Sequence, residues 1–261
     1  DLAYWLVDRS GDEPVNVIAP PKETVALNYY GGIAGVGTLS RDNESGLNAM
    51  VRILSATSPQ EALALIEQRE ITHLVLPSWD SAMELYAKLG TSVVENSFHR
   101  AMQGWTQPDW LYPMSYDVPA VGEFAGQSVT VFRVGGDQGE VAALSRLAVY
   151  FVEMGRLNYA TAVAGALQQF PADLGSWIVR GEVAVAAGDQ AQIAECLPMI
   201  LQRLDVGADR NLRWERRVGL AILLAQAKQN EAAQQQLELC VNGLTESRLR
   251  RLSTTTVYRL L

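Results

Sequence analysis

The feature that most restricts the fold is a spacing of 33 residues in the second half of the chain. Leu144, Ala148, Phe151 and Gly155 recur as Trp177, Gly181, Ala184 and Gly188. Self-similarity at such a period marks stacked supersecondary units, none of which can bury its apolar face alone. Two copies in register predict helical hairpins, with Gly155 and Gly188 at equivalent turns between the two helices of each. A looser third copy carries Trp214, Gly219 and Ala232, displaced by an insertion around 205–211. Units of this kind need about three neighbours to bury a core. A last helix over 245–260 is therefore expected to cap the stack, or the first half of the chain to cover it.

Residues 1–136 read differently. After a short apolar and aromatic segment at 2–7, β-rich runs at 15–19, 36–39, 71–76 and 128–134 alternate with helix-like segments at 23–30, one begun by Asp42-Asn43-Glu44 and carrying Leu47 to Leu54, one begun at Pro59 and carrying Ala62, Leu65 and Ile66, and at 82–89 and 96–104. Short apolar strands between amphipathic helices predict a three-layer α/β domain with a mainly parallel sheet. Ser58-Pro59-Gln60-Glu61 is a capping box with proline at the first helical position, and Ser81 to Glu84 forms a second. The run 71–76 is apolar on both faces, as a central parallel strand should be, with Pro77 ending it. Residues 105–120 are rich in proline and aromatics and predict an ordered loop. Gly135-Gly136-Asp137 reads as a boundary, which gives an α/β domain over 1–136 and an all-α helical-hairpin repeat domain over 137–261.

Charge narrows the partners. Residues 1–136 hold 8 Lys+Arg against 16 Asp+Glu, whereas 137–261 hold 13 of each. An acidic domain without a basic stripe is a poor binder of nucleic acid or anionic lipid, so no nucleic-acid partner is expected. No apolar run approaches the ~18 residues that a membrane span needs. The chain opens on Asp1 rather than Met and has no signal peptide, which reads as a segment of a longer protein. The 2 cysteines, Cys196 and Cys240, are far apart and predict buried thiols; whether they pair is left open. The 2 histidines cannot build a His-rich metal site, and neither a metal nor a cofactor is expected.

Candidate chemistry is sparse. Gly31, Gly32, Gly35 and Gly37 do not follow the dinucleotide-binding order, and read as a helix stop and a tight turn. Thr38, Arg41, Asp42, Ser78 and Asp80, with Ser40 and Asn43, fall at predicted carboxyl ends of strands, where open α/β sheets bind ligands. They are the candidate ligand-binding set. Asp42 or Asn43, and Asp80 or Ser81, are also what helix N-caps require. His73 is placed with Ile71 and Val75 as a buried histidine, not a catalytic base, because no nucleophile motif accompanies it. Asn43-Glu44-Ser45 fits the N-glycosylation sequon. Arg210, Arg213 and Arg217 are spaced to share a helix face. No catalytic residue is assigned.

The order APP, YYGG, GTLSRDNESGL, REITHLVLPSWD, WLYPMSYDVP and SVTVFRV over 1–135 resembles the soluble C-terminal domain of bacterial GT-C-type polytopic membrane glycosyltransferases. These are relatives of oligosaccharyltransferases and protein O-mannosyltransferases. In that family the catalytic acids lie in loops between membrane helices, so the resemblance implies a region without activity of its own. The oligosaccharyltransferase WWD motif survives only as Trp79-Asp80. Residues 140–243 resemble tetratricopeptide repeats, which implies a concave scaffold for a protein or peptide partner. The resulting expectation is an extracytoplasmic, periplasmic-side region that binds a partner or acceptor beside the membrane-spanning part of the same chain. The alternatives are a free-standing small-ligand enzyme using the strand-end polar edge, and a structural adaptor.

Overall fold

The computed structural model describes residues 1–104, 107–243 and 245, and the chain divides into two compact units, Asp1–Asp137 and Gln138–Leu261. The first unit runs α1 (Leu2–Ser10), β1 (Asn16–Ile18), α2 (Pro21–Gly31), β2 (Ala34–Val36), α3 (Glu44–Ser55), α4 (Pro59–Gln68), β3 (His73–Pro77), α5 (Ala82–Gly90), α6 (Phe98–Gln103), β4 (Leu111–Met114) and β5 (Val129–Val134). Its strands lie in the order β2-β1-β3-β5-β4. β1 pairs parallel with β2 and β3, and β5 pairs antiparallel with β3 and β4. Four of these strands therefore share one direction and β5 opposes them.

Strand alternation sorts the core into two layers. Ile18, Val36, Leu74 and Phe132 point to one face, where α3 to α6 supply Met50, Ile53, Leu54, Ile66, Met83 and Phe98. Val17, Val75, Val129 and Val131 point to the other, under Ala3 and Leu6 of α1 and Leu27 of α2. Covering both faces is what makes β3 a continuous apolar run. Ile71 precedes the strand and joins the first layer while Val75 joins the second, so the two do not share a side as expected.

Two strands depart from the sequence reading. β2 occupies 34–36, not 36–39, with Gly35 at its centre. A side chain at Gly35 would collide with the Thr24 methyl of α2, so close helix packing requires the residue that weakens the strand signal. The expected loop 105–120 contains β4, and Pro113 pairs with Phe132. β4 is an edge strand, where proline is tolerated. Pro77 is the last residue of β3, paired with Val129, so the strand ends there as expected. Residues 105–106 of that stretch lie outside the described residues.

The second unit runs α7 (Glu140–Glu153), α8 (Leu157–Ala166), α9 (Leu174–Ala187), α10 (Gln190–Asp205), α11 (Trp214–Gln226) and α12 (Asn230–Asn242). Three hairpins, α7–α8, α9–α10 and α11–α12, share one turn. Arg156 N donates to Phe151 O, Asp189 N to Ala184 O and Gln229 N to Leu224 O, each at 2.8 Å. The residue before each donor is left-handed: Gly155 at φ 67°, Gly188 at 71° and Lys228 at 59°. This hydrogen bond, reaching back over a left-handed residue, satisfies a carbonyl that the helix end leaves orphaned. The first two turns are 33 residues apart and the last two 40, counting from Gly155 to Gly188 to Lys228. The third copy therefore aligns Arg217 with Trp177 and Ala221 with Gly181, not Trp214 and Gly219 as the sequence pattern has it. α9 and α11 pack closely because Gly181 makes room for Leu223 and Gly219 for the buried Glu182 carboxylate, which faces Arg216 at 3.5 Å. The expected capping helix 245–260 falls outside the described residues apart from residue 245.

Candidate functional site

The carboxyl ends of β1, β2 and β3 share one side of the sheet. α2 links β1 to β2 over one face, and α3 and α4 link β2 to β3 over the other. The winding therefore reverses between β1 and β3, the crevice where ligands of open α/β sheets bind.

The predicted site residues reach this side, but local structure employs most of them. Thr38 Oγ1 accepts from Asn43 Nδ2 at 2.8 Å, and its carbonyl accepts from the same nitrogen at 3.3 Å. The sequon asparagine thus spends its amide inside the loop, and a glycan there would remove one of the two N–H donors. Arg41 and Asp42 sit on an exposed single-turn helix, Arg41–Asn43, beside Thr38. Ser78 Oγ donates to Gln127 Oε1 at 2.7 Å and accepts from Ser128 N at 3.0 Å, tying β3 to the start of β5. Asp80 Oδ1 accepts from Ala82 N at 2.7 Å. Asp80 is therefore the side chain that holds the start of α5. Ser81 makes no capping bond, so the second capping box does not form. At α4 the box does form in part: Glu61 N donates to Ser58 Oγ at 3.2 Å, and Thr57 N to Glu61 Oε2 at 3.2 Å.

One carboxylate at the crevice was not foreseen. The Trp79 indole N–H donates to Glu23 Oε1 at 3.0 Å, and Phe124 meets the Trp79 ring edge-on at 5.2 Å. Glu23 Oε2 is buried and accepts no hydrogen bond. The pointer in the sequence is positional, since Glu23 lies in the first turn of the helix that follows β1. Among the described residues no second titratable group is hydrogen-bonded or ion-paired to Glu23, as acid–base work would need.

The histidines are structural. His73 is buried, and its Nδ1 lies 2.9 Å from Thr72 Oγ1. The Thr72 hydroxyl donates to Asn16 O at 3.1 Å, so Nδ1 carries the imidazole proton. Nε2 is buried without a partner. Burial, and then the charge of Arg133, lower the His73 pKa to about 4. His99 is lowered by burial as well. A carboxyl–carboxylate hydrogen bond shared with Asp137, in which Asp109 keeps the proton, is the main cause holding the half-buried Asp109 carboxyl above its usual range. Cys196 and Cys240 are free and buried, and burial raises both thiols.

Arg210, Arg213 and Arg217 do not share one helix face. Arg210 lies in the short helix Ala208–Asn211, Arg213 precedes α11, and Arg217 is bound to Asp209 Oδ2 at 3.0 Å. Among the described residues, no group of three His, Cys, Asp or Glu could hold a metal, and no helix is long and apolar enough to cross a membrane. No family model, curated protein or solved structure matches the chain. The class defined by fold and site is thus a mixed α/β unit followed by helical hairpins, with strand-end polar groups engaged mainly in capping and loop bonds.

Proposed function

We propose that this chain is a non-catalytic binding region: the extracytoplasmic C-terminal part of a bacterial GT-C-like membrane glycosyltransferase, with its helical unit acting as a tetratricopeptide-like scaffold for a protein or peptide partner or acceptor. The observation that carries the binding role is the turn used identically in three successive hairpins. Helical hairpins repeated on one plan stack into concave surfaces suited to peptides. Support for a non-catalytic role comes from the strand-end edge, where Ser78 and Asp80 serve local structure. The membrane assignment rests on the sequence resemblance over 1–135.

The test is made on the full-length protein. Its gene should encode several hydrophobic spans of ~20 residues before this region. Removing 138–261 should abolish partner or acceptor binding while sparing sugar transfer to a short soluble acceptor. A gene without such spans sinks the membrane reading. Loss of transfer to every acceptor, with the protein still folded, sinks the non-catalytic one.

A further inference from the structure

The segment joining β4 to β5 leaves the sheet on the crevice side, because β4 runs in the same direction as β3. Its two ends are fixed. Tyr116 and Val118 pack into the second core layer, where Tyr116 meets Trp5 edge-on at 5.1 Å. At the other end Gln127 and Ser128 are tied to Ser78. Between these anchors Pro119 to Gly122 and Phe124 to Gly126 are exposed.

The exposed stretch holds its own shape. Val121 N donates to Pro119 O at 2.8 Å, Phe124 N to Val121 O at 3.2 Å, Ala125 N to Gly122 O at 3.3 Å and Gln127 N to Phe124 O at 3.0 Å. Among the described residues no backbone–backbone hydrogen bond ties 119–126 to a strand or to another helix. Phe124 instead reaches across to the Trp79 ring, 5.2 Å away, and the Trp79 indole N–H is held by Glu23 of α2 at 3.0 Å. Phe124, Trp79 and Glu23 thus form a row that runs from this segment, past the end of β3, to the start of the helix after β1. That row spans the crevice.

We propose that residues 119–126 are a flap that opens and closes over the crevice, with Phe124 on Trp79 as its latch and the flanking anchors as its hinges. Lifting it breaks one aromatic contact and no ladder bond, which places it at the low-stability end of local opening. Closure has a cost of its own, since Glu23 Oε2 is buried without a hydrogen bond. Water that enters under the raised flap hydrates this oxygen, so the closed state is opposed as well as held. Gly126, left-handed at φ 78°, lies where the flap meets the Gln127 anchor and turns there without a side-chain penalty. Surface segments that gate a site in this way move as units while the scaffold stays fixed.

Hydrogen exchange of the Trp79 indole N–H, followed by NMR on the whole chain, tests this, with the β5 amides as the reference for global unfolding. The indole proton should be less protected than the β5 amides. Its rate should stay flat in low urea, because a flap opening exposes little surface. Phe124→Ala should speed indole exchange roughly two- to tenfold, as expected for the loss of one edge-on aromatic contact, while the β5 amides and the thermal midpoint hold. Phe124→Leu should fall in between. Indole exchange that keeps pace with β5 in the unaltered chain overturns the proposal, because Trp79 then opens only with the whole unit. An indole rate that Phe124→Ala leaves unchanged overturns it too. So does a lower midpoint with faster β5 exchange, which makes Phe124 part of the core. The flap belongs to the first unit, so its failure leaves the helical scaffold untouched.

Discussion

At the scale of single residues, His73 and Lys228 are the informative ones. Folding lowers the His73 pKa from 6.5 to about 4. The unfolded chain therefore takes up the proton first as pH falls. The stability due to neutral His73 is complete above about pH 6.5 and is lost progressively toward pH 4, on the order of 3 kcal/mol in all. His73→Gln should flatten the stability curve across that window, leaving the smaller slope from His99. Urea midpoints taken between pH 4 and 7 measure it, and an unchanged slope refutes it. Lys228 holds a left-handed conformation at φ 59° where the other two hairpins place glycine. Such a conformation costs a non-glycine residue roughly 1–2 kcal/mol, partly offset by the greater unfolded freedom of glycine. Lys228→Gly should raise stability by up to about 1 kcal/mol, read as a higher thermal midpoint. A lower midpoint argues against the strain. The same residue displaced the register of the third hairpin. A copy recognised by its glycines cannot be aligned where lysine occupies the turn, and the sequence register slipped to Gly219.

At the scale of elements, the start of α4 was legible because the Ser58 hydroxyl and the Glu61 amide decide it. The Ser97 cap of α6 was not foreseen. Ser58→Ala should cost about 0.5–2 kcal/mol, whereas Ser81→Ala should cost almost nothing, because Asp80 holds the start of α5. Chemical denaturation of the two variants side by side decides this, and equal losses would contradict the geometry. The capping box at Ser81 looked sound in sequence because Asp80 and Ser81 are both good caps, and only backbone geometry chooses between them. The central strands β1 and β3 were legible from their apolar runs. β2 and β4 were not, since one centres on glycine and the other contains proline. The strand-end candidates Thr38, Arg41, Asp42, Ser78 and Asp80 were found from topology alone. Glu23 escaped because its bond to Trp79 depends on which segments fold side by side.

At the scale of the whole molecule, the two core layers of the first unit consist entirely of residues between Leu2 and Val134. The segment 1–137 expressed alone should therefore fold, with well-dispersed amide NMR signals and a cooperative melt. A collapsed spectrum would show that its core is incomplete. The sheet of that unit ends in two rims, β2 and β4. An open rim is a template on which another molecule's strand can add, the first step toward fibrous assembly. Here one rim is three residues long and centred on Gly35, and the other carries Pro113, which has no amide hydrogen to offer an incoming strand. Gly35 and Pro113, which conceal these strands from pattern reading, also make both rims poor templates for an added strand.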